Sequence, residues 1–312
     1  MSANFLTIEE FRELFITDAP PPKSLEETRD RQASYGLVSP LPDNWKARSI
    51  HLGNIPTLEL SGPESINKGA IIFFHAGGYS AGSAADHAGL AAHLGKAAGA
   101  KSYAVEYRLA PEHRFPAAIE DAFQSYVYLS DLIGAEIPIA IAGDSAGGGM
   151  AIAIAQLCAI RGARKPSCIY AISPWANMNL NGNSYLARSY ADPILSKESL
   201  KSLRSLYLSQ DDFDDPRASP VLGSFADFPP MLIDVGANEV LLSDALEITE
   251  LSSMAGNVVS LNIWKDMIHI FPWFYPHLRE AADAINIAGF WLNKYMSPLS
   301  IAPGSHDRFA NK

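Results

Sequence analysis

A chain of 312 residues, 48% hydrophobic and 19% charged, is long enough to bury a large core without disulfides or a structural metal. Its 34 acidic and 24 basic side chains leave a formal charge of −10, which repels phosphate backbones and excludes nucleic acid as a partner. Apolar runs stop well short of the roughly 20 residues needed to cross a bilayer, and the acidic N-terminus lacks the features of a signal peptide, so a soluble, cytoplasmic protein is expected.

The first 45 residues read as a helical cap segment. Thr7 and Glu10 have capping-box spacing, and Ile8, Phe11, Leu14 and Phe15 share one helical face. A proline-rich break follows, then the polar stretch EETRDRQASYG. Residues 46–296 read as the main domain. SIHLG and PTLEL, split by Gly53-Asn54, form a hairpin pattern. The runs AIIFF, SYAVEY, IPIAIAG, CIYAIS, MLIDVG and VVSLNIW are apolar nearly throughout, as in strands covered on both faces. Helix-length stretches separate them, and that alternation predicts an α/β fold with a mainly parallel sheet wrapped on both sides. Residues 176 to about 225 interrupt the rhythm and are expected to add to the cap. The segment 297–312 reads as a tail. Cys158 and Cys168 lie in apolar runs and read as small core hydrophobes, and no set of metal ligands is spaced to form a site.

Chemistry enters after IPIAIA, where Gly143-Asp144-Ser145-Ala146-Gly147 joins a strand to a helix. A serine at the apex of so sharp a turn needs glycine two residues to either side, and the helix N-terminus aims amides and positive potential at it. The spacing matches neither G-x-G-x-x-G nor a phosphate loop ending in G-K-[ST], so nucleotide cradles are rejected. Upstream, AIIFF runs into His75-Ala76-Gly77-Gly78-Tyr79, a glycine pair able to present bare N–H groups to an oxyanion.

HAGG at 75–78, YRLAPEHRFPAAIEDA at 107–122, GDSAGGG at 143–149, SPW at 173–175 and DMIHIF at 266–271 together resemble the hormone-sensitive-lipase-like family of microbial carboxylesterases. The resemblance spans about residues 48–295. It implies an eight-stranded α/β-hydrolase sheet, a helical cap, and hydrolysis of short-acyl esters without a cofactor. Ser145 would be the nucleophile, and the amides of Gly77, Gly78 and Ala146 would form the oxyanion hole. The chain order serine, acid, histidine makes His269 the base, since it follows the last strand run. His75 is expected to brace the glycine loop; His87 and His113 flank helix starts and receive no role.

Two departures from the family pattern stand out. Ala76 replaces a glycine of His-Gly-Gly-Gly, and Ile270 replaces the glycine of His-Gly-Phe, which is expected to narrow the pocket. For the acid, Glu239 and Asp244 compete. Relatives typically read Asp-Pro-Leu where this chain has Glu239-Val240-Leu241, so Glu239 is expected to be the acid, with Asp244 an N-cap or first-turn residue of the next helix. Tyr79, Trp175, Met178, Ile270 and Phe271 are candidates for the pocket wall or, equally, for ordinary core. Arg108, Glu112 and Asp121 are expected to form a buried ion-pair network. The expected ligand is a small-molecule ester, with a homodimer left open. A lactone or aryl-amide hydrolase, a non-catalytic small-molecule receptor and an inert paralogue that only dimerises are the competing readings.

Overall fold

The structure, a computed structural model, describes residues 5–15, 24–66, 69–275 and 277–297. The strands are β1 (Lys46–Leu52), β2 (Ile55–Ser61), β3 (Ala70–Phe74), β4 (Lys101–Val105), β5 (Ile139–Asp144), β6 (Cys168–Ile172), β7 (Met231–Gly236) and β8 (Val259–Trp264). They form one sheet in the order β1-β2-β4-β3-β5-β6-β7-β8. β1 and β2 are the expected hairpin, its two-residue turn at Gly53-Asn54 pairing Leu52 with Ile55. β2 also pairs antiparallel with β4. From β4 to β8 all pairing is parallel.

The apolar runs are strands because both faces of the sheet are covered. Successive side chains point to opposite faces. Ile72 and Phe74 thus join a core with Ile141, Ile169 and Ile233, beneath α4 (Ala117–Ile133) and α5 (Ala146–Arg161). Ile71 and Phe73 join a second core with Ala140, Ala142, Tyr170 and Leu232, beneath α3 (Ala88–Ala98) and α9 (Arg279–Met296). Both cysteines are buried and unpaired.

At the N-terminal side, α1 (Ile8–Phe15) begins with the expected capping box, Thr7 Oγ accepting from the Glu10 N–H and Glu10 accepting from the Thr7 N–H. Phe11 is fully buried, edge-on to Phe274 at 4.5 Å, in a cluster with Met267, Ile268 and Phe271. Leu14, expected on the same buried stripe, is instead 62% exposed. The short helix settles on one aromatic anchor, and nothing in the described residues covers its second turn at that position. The Phe15 side chain, and the tail from 298 onward, lie outside the described residues.

The second N-terminal helix, α2 (Leu25–Gly36), is polar and is pinned by Arg29. The guanidinium donates to both oxygens of Glu112 and to the carbonyls of Ser80 and Ala110. The expected single network therefore divides in two. Arg108 pairs with Asp121 through two side-chain bonds, while Glu112 is exposed and serves α2. Between β6 and β7 the chain carries α6 (Ser184–Ala187) and α7 (Lys197–Tyr207) before rejoining the sheet. The last connection between strands, from β7 to β8, carries α8 (Leu242–Met254).

Candidate active site

Ser145 sits between the end of β5 and the start of α5 with φ 55° and ψ −117°, a conformation that costs a non-glycine residue about 1–3 kcal/mol. The turn is held in place by its surroundings. The Ser145 N–H donates to the Ile172 carbonyl at 2.8 Å, and its carbonyl accepts from Gly149 and Trp175 at 3.0 Å each. The flanking glycines are there for space. A Cβ on Gly147 would lie 1.9 Å from the Phe74 carbonyl oxygen, and one on Gly143 2.3 Å from that of Gly147.

The loop after β3 packs directly against this elbow. Gly77 adopts φ +121°, and a Cβ there would meet the Ala81 carbonyl at 1.9 Å, so only glycine permits the turn. The Gly77 carbonyl accepts from Ser80 and Ala81, and no protein acceptor takes the N–H of Gly77 or Gly78 among the described residues. The Ala146 N–H lies in the first turn of α5, where amides have no partner within the helix. His75 braces the loop as expected. It is buried, Nδ1 contacts the Ala76 carbonyl at 2.7 Å, and the ring stacks on Tyr107 at 4.1 Å. Burial, with His87 nearby, pushes its pKa down to about 3, so it is neutral.

His269 lies just after β8, with its Nε2 2.9 Å from Ser145 Oγ. Its Nδ1 is 2.8 Å from Glu239 Oε2, and the acid follows β7. The other oxygen, Glu239 Oε1, accepts from the Gly236 N–H and, at 2.7 Å, from the Ser173 hydroxyl. Ser173 Oγ in turn accepts from the Ile270 N–H at 3.1 Å, which closes a ring of contacts behind the imidazole. Ser145, Glu239 and His269 are all buried. Burial alone would depress the His269 imidazole; the hydrogen bond and charge of Glu239, with Asp192 and Asp144, outweigh it and raise the pKa above its ordinary value.

Asp244 is placed differently. It does lie in the first turn of α8, yet its buried carboxylate accepts from the chain after β6 and from Tyr185 rather than from the amides of its own helix. Oδ2 accepts from the backbone N–H of Ala176 and Asn177, and Oδ1 from the Tyr185 hydroxyl. It therefore fastens the chain after β6 to α8.

The proposed wall residues divide. Tyr79, Trp175 and Met178 are fully buried in the main core, and Phe271 lies with Phe11 under α1. Ile270 remains beside His269, in the left-handed region at φ 48°, a genuine outlier for a β-branched side chain. The residues that press on the glycine loop were not singled out from the sequence. The Leu203 side chain of α7 lies against Gly78, and Gln32 of α2 against Gly77 and Gly82. Neither belongs to a motif. Only the amphipathic pattern around SKESLKSLRSLYL could have drawn attention to Leu203.

Residues 71–273 match a family model described as the alpha/beta hydrolase fold. The chain belongs to that family. An acetyl-hydrolase of Streptomyces hygroscopicus is 37% identical over 222 residues, covering 71% of this chain and 74% of the relative. A hormone-sensitive lipase from a metagenome library superposes with a TM-score of 0.88 at 31% identity, covering 94% of this chain and 99% of the other. An esterase of the bacterial hormone-sensitive lipase family superposes at 0.86 with 32% identity, over 89% and 94% of the two chains. Within the α/β-hydrolases, the chain thus falls in the bacterial hormone-sensitive-lipase group. Among the described residues, no helix is long and apolar enough to cross a membrane, and no three His, Cys, Asp or Glu side chains are grouped to hold a metal ion.

Proposed function

We propose that this esterase is a serine carboxylesterase that cleaves short-acyl esters through an acyl-enzyme, with Ser145 as nucleophile, His269 as general base and Glu239 as the acid that orients it. One observation carries the reading. A buried hydroxyl, imidazole and carboxylate stand in line at 2.9 and 2.8 Å, the hydroxyl on a strained turn at a helix N-terminus. In the first half-reaction Ser145 Oγ attacks the ester carbonyl as its proton passes to His269 Nε2, and the carbonyl oxygen becomes an anion facing the Gly77, Gly78 and Ala146 amides. The proton then goes to the departing alcohol as the carbonyl re-forms. Water, deprotonated by the same imidazole, releases the acid and restores Ser145.

Glu239 keeps Nδ1 protonated, so that Nε2 is the free base, and stabilises the imidazolium that forms. The short-acyl preference is supported by the name of the Streptomyces relative and by the Leu203 side chain, which lies against Gly78 of the glycine loop. A receptor that had abandoned hydrolysis would have no reason to retain an imidazole within hydrogen-bond reach of the elbow serine. Labelling with a fluorophosphonate, followed by peptide mass spectrometry, tests the assignment. Modification should fall on Ser145 and abolish turnover of nitrophenyl acetate, and modification of another serine with loss of activity would refute it.

A further inference from the structure

The loop that carries Glu239 is held from the cap side as well as from the sheet. Val240, the next residue, is fully buried, and both of its main-chain polar groups are taken by side chains of the chain between β6 and β7. Its N–H donates to Asp192 Oδ2 at 3.0 Å, and its carbonyl accepts from Ser184 Oγ at 2.5 Å. Ser184 also exchanges hydrogen bonds with Ser243, its Oγ accepting from the Ser243 N–H and its N–H donating to Ser243 Oγ. Asp192 is itself preorganised, since Oδ1 accepts from the Ile194 and Leu195 N–H groups. Proline at 240 would bring no N–H to this place. Valine introduces a buried donor, which would cost about 1–3 kcal/mol if left unanswered, and Asp192 answers it.

The position of Asp192 matters beyond this tether. It is almost fully buried, and its charge acts on both Glu239 and His269. The charged groups acting on the His269 ring are Glu239 from the loop after β7, Asp192 from the cap insertion, and Asp144 from the end of β5, all acidic. Between buried groups such a field is little screened by salt.

We infer that Asp192 is a positioning residue for the esterase reaction: it anchors Glu239 through the Val240 amide and adds its negative charge to those of Glu239 and Asp144 around His269, so that the cap insertion sets the base as well as covering the site. The inference rests on the Ser145–His269–Glu239 reading. It separates two effects that Ser184 and Asp192 share only in part, because Ser184 ties the same residue without a charge.

The test compares pH profiles of kcat/KM on nitrophenyl acetate for the parent, Asp192→Asn and Ser184→Ala. Asp192→Asn should move the acid limb to lower pH by roughly half a unit or more, because the imidazolium loses a stabilising charge. Its plateau kcat should fall several-fold with little change in KM. Ser184→Ala should lower kcat and leave the limb where it is. A limb for Asp192→Asn that superimposes on the parent's would overturn the inference. Should the asparagine variant fail to fold, Asp192→Ser removes the same charge and is read in the same way. A parent with no acid limb at all would instead refute His269 as base, and this inference with it.

Discussion

Replacing Asp244 by asparagine and, separately, by alanine separates a fastening carboxylate from a catalytic one. Oδ2 accepts two backbone N–H groups at 2.9 Å and Oδ1 accepts the Tyr185 hydroxyl at 2.7 Å, with the residue 1% exposed. An asparagine oxygen in the place of Oδ2 keeps both amide bonds. Its NH₂, in the place of Oδ1, needs only that the Tyr185 hydroxyl turn from donor to acceptor. Alanine strands all three donors, at about 1–3 kcal/mol each, offset in part because no charge is then buried. The net cost of alanine should be about 3 kcal/mol, and asparagine should be near neutral below about pH 4, where the parent's carboxyl is protonated in both states.

The pH dependence sharpens the contrast. Burial raises the Asp244 pKa from 3.8 to about 7, with Glu247 adding to the rise and the three hydrogen bonds opposing it. Between those values the folded protein holds a proton that the unfolded chain has lost, so the contribution is fully present below about pH 4 and disappears as pH rises towards 7. At about 1.4 kcal/mol per unit the full swing is about 4 kcal/mol. Asparagine imitates the protonated acid at every pH. Its stability relative to the parent should therefore increase from pH 5 to pH 8. Thermal melts of the parent and both variants at the two pH values measure this, with esterase turnover recorded on the same samples. Both variants should stay within about threefold of parental kcat, whereas Glu239→Gln should lose up to ~10⁴, the scale of tautomer loss in a serine triad. An asparagine variant as unstable as alanine at pH 8 would refute the packing argument. An inactive Asp244→Asn beside an active Glu239→Gln would exchange the two carboxylates' roles.

Three further outcomes are expected. The parent's kcat/KM should fall on the acid side through one ionisation with its midpoint above about 6.5, since His269 must be neutral to accept the serine proton and its environment raises its pKa; a flat profile down to about pH 4 would exclude an imidazole base. Gly77→Ala should remove nearly all turnover, because its Cβ would meet the Ala81 carbonyl at 1.9 Å and the loop must open, as a nitrophenyl ester assay on folded protein would show. Ile270→Gly should cost less stability than the ~2–5 kcal/mol typical of emptying a buried isoleucine site, since about 1–2 kcal/mol of left-handed strain is released, and should favour butyrate over acetate esters; an unchanged chain-length ratio would show that Ile270 does not bound the acyl site.

The architecture was legible in the sequence because short apolar runs and helix-length stretches alternate, and both faces of each inner strand are apolar. The sharp turn at Ser145 was equally legible, since close approach of main chains at Gly143 and Gly147 admits no side chain and so writes itself as a local pattern. Local spacing failed where partners are distant. Leu14 has the same helical phase as Phe11, yet only Phe11 meets Phe274. Glu112 sits in one stretch with Arg108 and Asp121, yet it pairs with Arg29, 83 residues away.

Glu239 and Asp244 show the division most clearly. Both are acids a few residues beyond the same strand, and the sequence by itself established that one of them stands near the right place in the chain. Only the tertiary structure decided which carboxylate meets His269 and which meets the amides of Ala176 and Asn177. The same holds for Ser173 and Asp192, which belong to no recognisable spacing with the residues they touch. The physical reason is that a turn is specified by the steric limits of adjacent residues, whereas a hydrogen bond across 50 or 100 residues depends on how the intervening elements pack, and that information is spread over the whole core.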